Sequence, residues 1–321
     1  MPRRGIGQLS WVDGALTRRR GRRRDVLAEI EQLVDWGPFA RLLAGIHCAV
    51  KGEAAYPPLM MFKVVLLQRW YGLSDPQMEE ALFDRMSFLS FVGLSAEDAT
   101  PDHTTIWRFR QKLAEGGLIE ELFAELGRQL ESRGVTIRQG TLIDASIIAS
   151  AARRPRMSEG PTSRTDPDAR FGANNERRRF TFGYKVHVAV DQGSQTIDKW
   201  RLTPANVQEV AVAPQLLPDS GAVYADRGYD AAALHRELSA RGLQDGIMRR
   251  ARKNQPLSEV AIAHNHQLSV IRRAVEPVFG TLKRSYRFHR MPYFNAARNA
   301  VAFALACIAF NVKRWHALAT P

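Results

Sequence analysis

The chain has 321 residues and 45% hydrophobic content, which suits a main domain plus a smaller one and argues against wholesale disorder. Its formal net charge is +13 and its pI is about 10.2, which implies a polyanion partner, nucleic acid first and an anionic membrane surface second. Cys48 and Cys307 belong to no Cys-x-x-Cys or Cys/His array, which argues against structural zinc and fits a reducing cytoplasm.

Residues 1–137 read as all-helical. From Asp25 to Trp36 the apolar residues Val26, Leu27, Ile30, Leu33 and Val34 recur at helical spacing. Pro57 and Pro58 open a strongly apolar helix that runs through Trp70, with Gly72 after it. Ser74 to Gln77 is a capping-box pattern, and Leu73 to Leu94 accommodates either a helix-turn-helix or a plain structural pair. Asp102 or Thr104 caps a helix carrying Ile106, Trp107, Phe109 and Leu113. The next helix runs from Leu118 to about Ser132 and stops near Gly134.

The pattern changes at Gly140. Gly140 to Ser150 reads as a strand, Phe182 to Asp191 alternates like a second, and Gln195 to Leu202 fits a third. The polar stretch between the first two, about residues 152 to 180, reads as a mobile loop. Asn206 to Leu217 reads as a helix with Asn206 and Glu209 as cap and N3 partner. Ala222 to Ala225 is a short buried strand, Asp230 to Ala240 a helix, and Gly246 to Met248 a weak strand. Helices follow from Leu257 to Trp315. This order predicts an α/β domain, residues 138–321, with a mixed sheet flanked by helices.

No apolar segment follows the basic N-terminus, so no signal peptide is expected. The longest apolar run, Ala300 to Phe310, is too short for a bilayer and lies between Arg298 and Lys313, which predicts a buried helix and leaves nucleic acid as the partner.

Basic residues cluster in four places. Arg18, Arg19, Arg20, Arg22, Arg23 and Arg24 form the densest run. Arg153, Arg154 and Arg156 open the polar stretch, and Arg177, Arg178 and Arg179 close it. Arg249, Arg250, Arg252 and Lys253 follow the weak strand. Guanidinium groups match phosphates in a two-pronged fork and release counterions on binding, so the clusters predict a surface that tracks a DNA backbone. Such contacts position a duplex without reading its sequence.

Three carboxylates are candidates to carry chemistry, with structural alternatives: a helix cap for Asp226 and an ordinary surface pair for Glu276 and Lys283. Asp144 interrupts the apolar strand Thr-Leu-Ile-Asp-Ala-Ser, where a charge must be paired, protonated or metal-bound. Asp226 follows Val223-Tyr224-Ala225, at the carboxyl end of a strand where ligands bind in open α/β sheets, although such an aspartate also serves as a helix cap. Glu276 shares a helical face with Arg272 and Lys283, beside an apolar stripe of Ile271, Val275, Val278 and Leu282. Pro277 marks a kink or a first turn there.

Together these pieces resemble the DDE transposases of bacterial insertion sequences, specifically the group named after insertion sequence 5. The resemblance runs from about residue 25 to 316. It rests on Pro101-Asp102-His103-Thr104-Thr105 with Arg108-Phe109-Arg110, on Gly140 to Ala145, and on Gly183-Tyr184-Lys185-Val186-His187. It continues through Thr203-Pro204-Ala205-Asn206, Ala225-Asp226-Arg227-Gly228-Tyr229 and Arg272 to Lys283. The resemblance implies an RNase H-like catalytic fold in which Asp144, Asp226 and Glu276 hold two Mg2+ ions, or Mn2+, with Asp144 bridging them. Two such ions roughly 3.5–4 Å apart serve the attacking and leaving oxygens of a phosphodiester. Related transposases carry a Tyr three residues before the Arg of the Glu helix. Ser269 stands there in this chain, a departure that bears on any excision step dependent on that Tyr.

The resulting expectation is a cytoplasmic, nucleoid-associated homodimer with no membrane association. It binds the terminal inverted repeats of its element on double-stranded DNA, cuts the ends and joins them to target DNA. Residues 1–137 are expected to supply end recognition and dimer contacts. The expected DNA contacts are Arg272, Lys283, Lys185, Arg22, Arg23, Arg177, Arg178, Arg249 and Arg250. His187 is expected to be structural rather than a general base, and Tyr229 is either core or a DNA contact. An RNase H-type nuclease without strand transfer and an inactive DNA-binding regulator are the alternatives.

Overall fold

The computed structural model describes residue 7 and residues 25–46, 55–156, 160–174, 179–252 and 254–320. Its contacts divide the chain into two compact units, residues 1–129 with 303–321, and residues 130–302.

In the first unit, α1 (Val26–Leu33) forms within the stretch read as helical from Asp25 to Trp36, and α2 (Trp36–Leu43) is a further helix that follows it. The break is at Asp35, whose carboxylate accepts from the Gly37 backbone N–H at 2.9 Å and so starts a new helix. Helix α3 (Pro58–Tyr71) is buried almost all round and ends at Gly72, whose φ of 61° closes the last turn in the left-handed region. The capping box forms at the start of α4 (Asp75–Asp84), with Ser74 and Gln77 satisfying each other's backbone. Only Arg85 separates α4 from α5 (Met86–Val92), and Phe88, Leu89, Phe91 and Val92 of α5 are buried. Such a short, mostly buried second helix fits a structural pair rather than a groove-reading one. Asp102 caps α6 (His103–Gly116) through the Thr105 N–H, and α7 (Ile119–Ser132) follows.

Arg110 of α6 is 3% exposed. It bonds the Gln68 amide oxygen at 2.8 Å and pairs with Asp75, which in turn accepts from Gln68. Here a buried charge is acceptable because its two terminal guanidinium nitrogens are engaged by Gln68 and Asp75. The last helix, α12 (Ala296–Ala319), extends well past the apolar run that predicted it. Its length and composition suit a membrane span, but 72% of its most apolar stretch is buried, as in a core helix. Its Ala309 carbonyl accepts from the Trp70 indole at 2.8 Å, which ties the C-terminal residues to the first unit.

The second unit is built on a mixed sheet. Strand β1 (Gly140–Ala149) lies antiparallel to β3 (Arg179–Asp191) and parallel to β5 (Ala222–Ala225), and β6 (Gln244–Ile247) extends the parallel side. The far edge of β3 is shared by β2 (Arg170–Asn174) and β4 (Ile197–Pro204), both antiparallel to it. With β2 as an extra edge strand, β1, β3 and β4 run antiparallel in turn and β5 and β6 run parallel to β1, with helices on the faces, which is the RNase H-like arrangement. Gly183 is required in β3, because a side-chain carbon there would sit 2.1 Å from the Ile148 carbonyl oxygen.

The predicted mobile loop needs correction in its described part. Strand β2 pairs with β3 inside it, and Asp166 is fully buried, accepting from the Ser150 and Tyr184 hydroxyls. The helix predicted from Asn206 starts later and is shorter: α8 (Glu209–Val212) passes into a 3-10 turn at Ala213–Gln215, with no side-chain cap. Val207 N–H closes a tight turn onto Pro204, which delays the start, and Pro214, lacking an N–H, tightens the end. Helix α9 (Ala232–Ala240) packs its Leu234 and Leu238 into the core formed with Ile143, Ala189, Val223 and Ile247. Helices α10 (Glu259–Arg272) and α11 (Glu276–Arg284) complete the unit.

Candidate active site

Asp144 lies midway along β1, opposite Val188 of β3, with buried Leu142 and Ile143 before it. One carboxylate oxygen accepts from the Ala145 N–H at 2.8 Å, and the other is 3.4 Å from the Arg272 guanidinium. Burial pushes the Asp144 carboxyl up to about 6. Arg272 and the Ala145 N–H pull it down, while Asp226 and Glu209 push it up further. Asp144 therefore stands where anionic charge is undercompensated.

Asp226 follows the last residue of β5 in extended conformation. Its side chain caps a 3-10 turn, Arg227–Tyr229, accepting from Gly228 N–H at 2.7 Å. Capping and proximity to Asp144 coexist in this residue. Gly228 also marks a close approach. A side-chain carbon there would lie 2.9 Å from an Asp226 oxygen and 2.9 Å from a Glu209 oxygen.

Glu209 was read from the sequence only as a helix-capping partner, and the structure places it in this group. Its other oxygen is 3.2 Å from the Lys185 ammonium, which also donates to the Val207 carbonyl at 2.9 Å. Glu209 lies five residues beyond the carboxyl end of β4, on the loop and short helix that follow it, so the strand-end rule that singled out Asp226 does not reach it.

Arg272 and Glu276 do not share one continuous helical face. Between them lies a 3-10 turn, Arg273–Val275, because Pro277 in the first turn of α11 has no N–H to give the Arg273 carbonyl. Four residues span roughly 40° of residual rotation in an α-helix but roughly 100° when three of them wind at 3-10 pitch. Arg272 accordingly faces Asp144, whereas Glu276 is exposed. Among the described residues, no three His, Cys, Asp or Glu side chains converge in metal-holding geometry. The donor chemistry nonetheless fits a hard divalent cation: oxygen ligands only, and a buried carboxylate whose anionic form lacks compensating charge.

His187, across from Ala145, is fully buried, with one ring nitrogen 3.0 Å from the Thr203 hydroxyl. Burial, then Lys185, lower its pKa to about 4, so it is neutral at physiological pH, and its full burial fits a structural role. Tyr229 belongs to the core. Ser269 donates to the His266 carbonyl at 2.7 Å.

Several expected DNA contacts are occupied within the protein. Lys185 is 8% exposed and holds Glu209. Arg272 faces Asp144. Arg249 is 2.9 Å from Asp245 and 3.0 Å from His235, which bridges Asp245 and Asp230 at 2.8 Å each. Arg250 is exposed and Lys283 is half-buried. Arg22, Arg23, Arg177 and Arg178 lie outside the described residues, as do Lys253 and Cys48. Exposed Arg153, Arg154 and Arg290, with Phe180, line a cavity of about 330 Å³ at the end of β1.

The RNase H-like sheet thus carries one aspartate within its central strand and a second just past the neighbouring parallel strand. Two family models match: the Transposase domain (DUF772) over residues 16–112 and the Transposase DDE domain over residues 136–312. The chain belongs to the transposase DDE family and is a DDE transposase, an enzyme of metal-dependent DNA cleavage and transfer. Among solved structures it is similar to a piggyBac transposase synaptic complex with hairpin DNA, at 9% identity over 92% of this chain and 73% of that one, with a TM-score of 0.48. It is also similar to a Mos1 transposase paired-end complex with the left transposon end, at 11% identity over 80% of this chain and 86% of that one, with a TM-score of 0.21.

Proposed function

We propose that this transposase belongs to the insertion sequence 5 group, binds the terminal inverted repeats of its element, and cuts and joins those ends to target DNA. Asp144, Asp226 and Glu276 would hold two Mg2+ ions, or Mn2+, which when bound supply an activated attacking water and a stabilised leaving oxygen. The observation that supports this reading is that Asp144 and Asp226 share one electrostatic neighbourhood, in which the penalty of burying Asp144 outweighs the 3.4 Å pairing with Arg272. Glu276 joins them in this reading from the first turn of α11, four residues beyond the arginine that touches Asp144.

The chain's own residues prepare the site. Arg272 orients Asp144 in the metal-free protein and becomes available to phosphate once a cation takes its place. Asp226 is held by the Gly228 N–H, which fixes one oxygen and sets the direction of the other. Arg250, Lys283 and the arginines around the β1-end cavity belong to the backbone-tracking surface in this reading, and the arginine runs of the sequence at 18–24 and 177–179 add positive charge that favours a DNA backbone. Residues 1–137 supply end recognition and homodimer contacts, and the protein acts in the cytoplasm on the nucleoid.

The test is cleavage and strand transfer on DNA containing the element ends. Alanine at Asp144, Asp226 or Glu276 abolishes both while DNA binding persists; retained cleavage in any one of the three sinks the assignment of that residue. Cleavage by the wild type without strand transfer points instead to a nuclease.

A further inference from the structure

Tyr229 presents an unexplained hydroxyl. The side chain is fully buried, and its oxygen has no hydrogen-bond partner among the described residues. Leaving such a group unsatisfied costs about 1–3 kcal/mol, and phenylalanine would fill the same core space without that cost. After burial, the influences that hold its proton on most firmly are the charges of Glu209, Asp144 and Asp226, in that order. The hydroxyl thus lies within Coulombic reach of the carboxylate group, in the turn that directly follows Asp226.

Glu209 faces the same space. Lys185 anchors one of its oxygens, and the Lys185 ammonium is itself fixed by the Val207 carbonyl. The other Glu209 oxygen and an Asp226 oxygen each lie 2.9 Å from the point where a side chain on residue 228 would begin. The two oxygens therefore lie within twice that distance of each other, across a gap that only glycine leaves open. Three carboxylates are gathered here, with Lys185 set against Glu209 and Arg272 at 3.4 Å from Asp144. Facing anionic oxygens repel unless a cation or a donor is shared between them.

We propose that Glu209 and Tyr229 are positioning residues of the divalent-cation site: Glu209 supplies additional negative charge beside Asp226, and the Tyr229 hydroxyl finds its acceptor when the carboxylates are drawn together. The inference rests on the reading of Asp144 and Asp226 as metal ligands. Both residues act through Asp226 and Asp144 and not on the DNA. The Lys185–Glu209 pair keeps the extra carboxylate correctly turned in the metal-free protein, which also accounts for a buried lysine in this strand.

The experiment is Mn2+ binding to the full chain without DNA, followed by isothermal titration calorimetry, for wild type, E209Q, E209D, Y229F, D144N and D226N. E209Q weakens Mn2+ about tenfold, the scale on which groups supporting metal ligands act. E209D recovers most of that loss. Y229F raises the thermal midpoint in EDTA, because the orphaned hydroxyl is gone, yet weakens Mn2+ several-fold; a merely structural tyrosine would not separate the two readouts. If E209Q disturbs the far-UV circular dichroism, E209A, which leaves Lys185 bonded to Val207, answers the same question. Wild-type Mn2+ affinity in folded E209Q or E209A, or in Y229F, overturns the proposal for that residue. If D144N and D226N also bind Mn2+ like wild type, the metal-site reading itself falls. If they lose Mn2+ while E209Q and Y229F keep it, only the present inference falls.

Discussion

Replacing Asp144 by Asn should make the metal-free protein more stable at neutral pH, although it removes the proposed metal-binding carboxylate. The carboxyl ionises near 3.8 in an unfolded chain and near 6 in the folded one, chiefly because β1 buries it. Each unit of difference corresponds to about 1.36 kcal/mol, so folding the ionised form carries a penalty of up to about 3 kcal/mol. The sign follows from the raised value. Below pH 3.8 both states are protonated and there is no penalty. Between 3.8 and 6 the folded state binds the extra proton, so stability falls as pH rises, and above 6 the whole penalty is present. Asparagine mimics the protonated form at every pH. In urea denaturation with EDTA, D144N should therefore match wild type near pH 4 and exceed it by about 1–3 kcal/mol at pH 8, with an unchanged m-value. Saturating Mn2+ should reverse the order, because only wild type gains binding energy. D144N less stable than wild type at pH 8 in EDTA would refute the idea that burial, undercompensated by Arg272, governs this residue.

Two further outcomes follow from the first unit and the basic surface. R110A should lower stability by about 3–5 kcal/mol, since it strands Asp75 and the nearly buried Gln68. Burial raises the Asp75 pKa, but Arg110 and Gln68 outweigh it and leave it depressed. The stabilisation is thus present above the ordinary carboxylate value and fades on acidification below it. The wild-type advantage over R110A in thermal melts should narrow below about pH 4. On DNA, R250A should reduce the slope of log affinity against log salt by about 1. R249A should leave that slope unchanged but destabilise the fold, because Arg249 is committed to Asp245 and His235. Equal salt slopes for R249A and R250A would contradict this division.

Much of the architecture was legible because its signals are local. The capping box at Ser74, the proline pair before α3 and the period-two alternation of β3 each act within one turn or one strand, and each formed as read. The failures share a cause as well. Asp35 restarts a helix with a cap that competes with the apolar periodicity around it. Strand β2 has few residues and becomes a strand only because β3 offers an edge. Lys185 and Arg249 looked like phosphate contacts because an arginine or lysine in sequence carries no record of the acid that folding brings to it.

The same distinction runs through the active site. The chain by itself determined that Asp144 sits in an apolar strand, that Asp226 ends another, and that Pro277 follows Glu276, since burial, strand ends and a missing N–H are properties of short segments. Only the tertiary structure decided which charges meet. Arg272 reaches Asp144 from 128 residues away. Glu209 stands beside Asp226 and Lys185, and the 3-10 turn rotates Glu276 away from the line that helical periodicity assigned to it. Coulombic interaction depends on distance in space, and strand register and helix pitch convert positions in the sequence into those distances.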